Sequence, residues 1–162
     1  MNLLKRKVNR LSEYDYSTPN AYFITICTAG RKNYFWKDTS ILLHSSMEIP
    51  FNHYGLIVKR VIMDIPKHYS MISVDNFAIM PNHVHLLMQI KSGTKGQDQA
   101  SPTISHVINQ TKGYISKQIG FAVWQKGFYD HVIRSEMEYQ KTWEYIQGNP
   151  YRLAEDEIII LE

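Results

Sequence analysis

Apolar positions along this chain fall into two rhythms, one of period two and one of helical spacing. Ala21 to Thr28 is dense in aromatic and β-branched residues and reads as a strand. Gly55 to Tyr69 places Leu56, Val58, Val61, Ile62 and Ile65 at helical spacing, with Pro66 near the end. Residues 71–80 and 83–90 form a pair of strands joined at Pro81-Asn82. Thr103 to Ile119 reads as a second helix, with Ile104, Val107, Ile108, Tyr114 and Ile115 as its apolar side and Gly120 as its stop. A fourth strand lies within Phe121 to Ile133. Ser135 and Glu138 then form a capping-box pattern that starts a last helix after Arg134, predicted to stop by Gly148-Asn149-Pro150. Between these elements, Ala29 to Asn33 is a turn carrying two cations. Trp36 to Pro50 offers only a short strand at Ile41-Leu42-Leu43, and residues 91–101 are a polar linker.

The order strand, helix, strand, strand, helix, strand, helix predicts an α+β fold. The expected form is a ferredoxin-like antiparallel sheet with helices on one face and a C-terminal helix after it. The other sheet face is then free to carry a site. Residues 1–19 are read as an N-terminal arm and 20–162 as one domain.

Within the second strand of the central pair, alternation puts Val84, Leu86, Met88 and Ile90 on one face. His83, His85, Leu87 and Gln89 share the other. Two imidazoles one pleat apart on a rigid strand can bind one cation together, although His-x-His alone also suits two histidines on a polar sheet face. On the last helix, Tyr139, Trp143 and Ile146 form a narrow stripe that reads as the core face. Tyr145 projects about 120° away from Tyr139, and Asn149 follows it one turn later. A tyrosine and an amide so placed can reach one metal-bound phosphate, but the chain has eleven tyrosines, so the helix alone does not select one.

Charge adds a partner class. The net charge of +3 is uneven, because residues 135–162 hold seven acids against Lys141 and Arg152 and carry −5, leaving +8 on the rest. Lys5, Arg6, Lys7 and Arg10 form an acid-free basic cluster in the arm. Such a bias suits a polyanion. The chain contains no run of 18 apolar residues, so no membrane span is expected, and the N-terminus becomes charged before any signal-peptide apolar region forms. The single cysteine, Cys27, excludes an internal disulfide and fits a reducing cytoplasm, as a buried structural thiol.

Four blocks occur in the chain in a telling order. They are Glu13-Tyr14-Asp15-Tyr16 leading into Ala21 to Thr28; Met80-Pro81-Asn82-His83-Val84-His85; Trp124 to Arg134; and Tyr145-Ile146-Gln147-Gly148-Asn149-Pro150. Together, over roughly residues 13–152, they resemble the REP-associated tyrosine transposases, a branch of the single-tyrosine HUH transposases of bacterial insertion sequences. The resemblance implies a ferredoxin-like fold, Mg²⁺ or Mn²⁺ on His83 and His85, Asn149 as third ligand, and Tyr145 as nucleophile. It also implies single-stranded or hairpin DNA as substrate, cleaved and rejoined through a 5′-phosphotyrosine in the cytoplasm by a monomer or homodimer. His131 is a supporting candidate. Arg31, Lys32, Lys112 and Arg134, with the arm's four cations, are candidate phosphate contacts, and Tyr14 and Tyr16 can stack on unpaired bases. Two other readings compete: a domesticated hairpin-binding protein without chemistry, and a hydrolase with zinc on His-x-His. The zinc reading lacks a third His, Cys or acid at convincing ligand spacing.

Overall fold

The computed structural model describes residues 21–37, 49–91 and 102–161, with side chains described as far as residue 150. The basic arm, the expected strand at 41–43 and nearly all of the 91–101 linker lie outside the described residues.

The elements are β1 (Ala21–Cys27), a 3-10 turn (Ala29–Arg31), α1 (His53–His68), β2 (Ile72–Ile79), β3 (His83–Ile90), α2 (Ile104–Ile119), β4 (Tyr129–Ile133) and α3 (Glu136–Leu161). The four strands form one sheet in the order β2-β3-β1-β4, with every neighbouring pair antiparallel. This is the α+β, ferredoxin-like arrangement expected from the element order: each helix crossover returns the chain to a strand one place removed in the sheet.

Strand alternation divides the sheet as the sequence pattern predicts. Tyr22, Ile24 and Ile26 of β1 pair with Met88, Leu86 and Val84 of β3, and all six are buried. They form the core with Ile57, Val58, Val61, Ile62 and Ile65 of α1 and Ile104, Val107, Ile108 and Ile115 of α2. The opposite face carries Phe23, Thr25 and Cys27 against Leu87, His85 and His83. Cys27 is buried there, and burial raises its thiol pKa.

One end of the sheet gathers most of the connections. β1 ends where β3 begins, with Cys27 opposite His83. Next to them α1 starts at an Asn52 cap, whose Oδ1 accepts from Gly55 N at 3.0 Å. The same side chain donates to the carbonyls of Tyr34 (2.6 Å) and Trp36 (3.3 Å), fastening the loop after β1 to the helix start. Gly55 is required by space: a Cβ there would sit 2.2 Å from the Phe35 carbonyl oxygen. α2 also ends here, at Gly120 in the left-handed region (φ 101°).

α3 starts as predicted, with Ser135 Oγ accepting from Glu138 N at 3.1 Å. The Glu138 carboxylate reaches back to Arg134 N at 3.2 Å, one residue further than in a standard capping box. The expected stop at Gly148-Asn149-Pro150 is not observed, since the helix runs through Pro150 to Leu161. An interior proline removes one hydrogen bond and strains its turn, but the bonds on either side still carry the helix onward. Asn149 is therefore helical and one full turn beyond Tyr145. α3 lies across the Phe23–His85 face, so the helices are not confined to one side of the sheet: α1 and α2 cover one face and α3 part of the other.

Candidate active site

Adjacent pleats of β3 present His83 and His85 side by side, with ring centroids 4.7 Å apart. Each ring is held by its Nδ1. Thr25, directly across on β1, places its hydroxyl 2.9 Å from His85 Nδ1. Asn82 Oδ1 lies 2.7 Å from His83 Nδ1. The Asn82 amide nitrogen donates to the Arg31 carbonyl at 3.4 Å, which fixes Oδ1 as the atom facing the imidazole. His83 must then donate from Nδ1, and its Nε2 carries the lone pair. Asn82 is itself anchored, because its carbonyl accepts from the amide (3.0 Å) and hydroxyl (3.1 Å) of buried Thr28.

Electrostatics keep both rings neutral. Burial, followed by the Arg31 guanidinium, lowers His83 to about 4. Burial, followed by His83, lowers His85 to about 3. At neutral pH a cation meets two unprotonated imidazoles. Two neutral imidazoles side by side, with the His83 tautomer fixed by Asn82, can offer nitrogen lone pairs to a divalent ion.

α3 brings a phenol to this pair. Tyr145 is 43% exposed, off the buried stripe as predicted, yet its ring lies 5.6 Å from His85 and 6.0 Å from Phe23. Tyr139 has a different environment. Its hydroxyl donates to Asp75 Oδ2 at 2.7 Å, and burial together with that carboxylate pushes its pKa up to about 12. A register shift in β2 between Val74 and Asn76 makes this contact available by turning Asp75 out of the ladder, where Ser73 and Gln89 also bond it.

The direction of α3 places Asn149. Tyr139 meets Asp75, the Trp143 carbonyl accepts from Asn76 at 3.3 Å, and Tyr145 meets His85, so the helix runs toward the His83 end. Four helical residues advance about 6 Å, and two strand residues advance about 6.8 Å. Asn149 is half-buried and follows Tyr145 by one helical turn in that direction, a rise close to the spacing of His85 and His83 along their strand.

The chain and a Haemophilus influenzae protein of uncharacterised function are 30% identical over 96% of this chain and 93% of that protein. The two belong to one family. A second Haemophilus influenzae protein, provisionally named a REP-associated tyrosine transposase, is 21% identical over 90% of this chain and 78% of its own length. No family model matches the chain. Among solved structures, a REP-associated tyrosine transposase bound to a REP hairpin superposes with a TM-score of 0.60 at 20% identity, covering 88% of this chain and 74% of the other. The fold is that of the REP-associated tyrosine transposases.

The remaining candidates divide by placement. His131, opposite Phe23 in the β1–β4 register, shares the site face, where it pairs with Glu138 and lowers that carboxyl's pKa. Phe23, Glu138, Lys141, Thr142 and Tyr145 line a shallow concavity of about 290 Å³. Arg31 borders His83 from a left-handed conformation (φ 55°), with Lys32 exposed beside it. Arg134 is exposed at the start of α3. Lys112 serves the fold: its ammonium donates to the carbonyls of Gln125 (3.0 Å) and Gly127 (2.7 Å), and burial lowers its pKa. The sequence reading had missed Thr25, Asn82 and Asp75 as positioning residues, and Lys141 beside Tyr145. A polar Thr25 in an otherwise apolar strand was the available signal.

Proposed function

We propose that this protein is a metal-dependent single-stranded DNA transposase that cleaves and rejoins strands at hairpin-forming repeats. The observation that carries the reading is the packing of the Tyr145 ring against His85, with His83 one pleat away and both imidazoles tied through Nδ1.

His83 Nε2, His85 Nε2 and the Asn149 amide oxygen would hold Mg²⁺ or Mn²⁺. When bound, the ion polarises a scissile phosphate and neutralises charge that builds on its oxygens. With Nε2 given to the ion, His85 would carry its proton on Nδ1 and donate it to Thr25 Oγ1. Tyr145 Oη attacks phosphorus: the Oη–P bond forms, the P–O3′ bond breaks, and the phenolic proton ends on the released 3′-hydroxyl. The strand remains joined as a 5′-phosphotyrosine. Attack by a second 3′-hydroxyl reverses the bond changes and completes transfer, with no triphosphate consumed. Lys141, one turn before Tyr145 on the same concavity, offers a cation to the incoming phosphate.

Two other tyrosines are poorer nucleophiles. Tyr139 is committed to Asp75. Tyr129, on β4, pairs with Thr25 of β1 and so stands two strands from His85, about 10 Å at ordinary strand spacing. Hairpin DNA incubated with Mn²⁺ should therefore yield a protein–DNA adduct on a denaturing gel with the wild type and none with Tyr145→Phe. Hairpin binding without any adduct would leave a hairpin-binding protein and remove the transferase reading.

A further inference from the structure

The end of the sheet beside His83 carries an aromatic cluster that the chemistry above does not use. Phe121, in the loop after α2, lies 5.2 Å from Tyr34 and 5.6 Å from Tyr54, at interplanar angles of 62° and 82°. Neither neighbour is stacked parallel on it. Tyr34 and Tyr54 pack partly against the core, whereas Phe121 is 38% exposed. The cluster is tied to the site through backbone: Tyr34 N and Phe35 N both donate to Pro81 O (2.8 and 3.2 Å), two residues before His83. Ala29 N donates to Val123 O at 2.9 Å, so the Phe121 loop is fixed to the same turn.

Among the described residues, cations predominate at this end. Residues 21–37, 49–63 and 102–129, which build it, contain no Asp or Glu, while Arg31, Lys32 and Lys126 are exposed there. Arg31 and Gly30 both take positive φ (55° and 63°), an unfavourable conformation for arginine, and the Arg31 charge is close enough to His83 to lower its pKa. An exposed ring at an end where cations predominate among the described residues has the makeup of a stacking platform for an unpaired nucleotide.

We infer that Phe121, supported by Tyr34 and Tyr54, stacks an unpaired base of the DNA strand flanking the scissile phosphate, with Arg31 and Lys32 on the intervening phosphates. This rests on the proposed function for the identity of the strand, and deepens it by giving the strand a path away from the metal-ligand pair.

The test is fluorescence anisotropy with a labelled hairpin, either blunt or carrying a single-stranded oligothymidine tail. In the wild type the tail should increase affinity. Phe121→Leu should remove about five- to 150-fold of affinity for the tailed hairpin, the usual effect of one stacked base, and leave blunt-hairpin binding unchanged. Phe121→Trp should retain the gain, and its added emission should be quenched by the tailed DNA only. A tail-dependent gain that is equal in Phe121→Leu and wild type, or absent from the wild type, overturns the inference. Performing the measurement also with Tyr145→Phe separates the two ideas. A Phe121-dependent gain there supports the platform even if no adduct ever forms, while an adduct with no such gain removes the platform alone.

Discussion

Acid should weaken this fold through two specific residues, and the size of the effect follows from their burial. Free histidine titrates near 6.5, whereas His83 and His85 are held at about 4 and about 3. The neutral form is the one the fold favours. Above pH 6.5 the folded and unfolded chains bind equal protons at these sites, and neither contributes to pH dependence. As pH falls from 6.5 toward the folded values, the unfolded chain takes up protons that the folded chain refuses, so stability declines across that window. Each pH unit is worth 1.36 kcal/mol per group, so at pH 5 each histidine costs about 2 kcal/mol, with half-buried His83 contributing the smaller share. Together they remove about 4 kcal/mol, a large fraction of the 5–15 kcal/mol typical of a domain. Urea unfolding at pH 7.5 and pH 5 reads this directly. The wild type should lose about 4 kcal/mol more than a His83→Gln/His85→Gln double variant, and about 2 kcal/mol more than either single variant. Other groups titrate equally in both proteins and cancel. Identical losses in wild type and double variant would refute the claim that these imidazoles are held neutral by burial.

Three further substitutions probe separate parts of the account. Tyr139→Phe should cost about 1–2 kcal/mol in chemical denaturation, since Asp75 keeps Gln89 and Ser73, while adduct formation stays within a few-fold of wild type; loss of the adduct would make Tyr139 a contender for the chemistry. Asn82→Ala should weaken Mn²⁺ binding about ten- to 100-fold in calorimetry by freeing the His83 tautomer, and unchanged affinity would deny Asn82 that role. Gly55→Ala should destabilise by about 2–4 kcal/mol despite alanine's better helix propensity, because the new Cβ would meet the Phe35 carbonyl at 2.2 Å; a neutral or stabilising result in thermal unfolding would mean that the loop yields freely.

Much of this was legible along the chain because it depends on local periodicity. Alternation alone put His83 and His85 on one face and Leu86 and Met88 on the other, and helical spacing separated Tyr145 from the Tyr139–Trp143–Ile146 stripe. What stayed hidden depends on register or on a balance of forces. Thr25 and His85 are 60 residues apart and meet only because β1 pairs with β3 in one register. Asp75 is aimed at Tyr139 by a bulge that no local pattern marks. Asn82 read as a turn residue, and its hold on His83 appears only once Arg31 claims its amide. Pro150 read as a helix stop, but one lost hydrogen bond did not outweigh the turns on either side. Lys112 read as a candidate phosphate contact, yet its stem lets the ammonium turn inward to two loop carbonyls. The arm cations Lys5, Arg6, Lys7 and Arg10 fall outside the described residues and remain a sequence expectation.

The central claim concerns a single bond, from Tyr145 Oη to a DNA phosphate. Wild-type protein trapped on hairpin DNA in Mn²⁺, digested with protease and nuclease and sequenced by mass spectrometry, would locate that bond. The account predicts a nucleotide phosphate on the peptide containing Tyr145 and none on those containing Tyr129 or Tyr139. A nucleotide mapped to any other residue, or an adduct that persists in Tyr145→Phe, would contradict it.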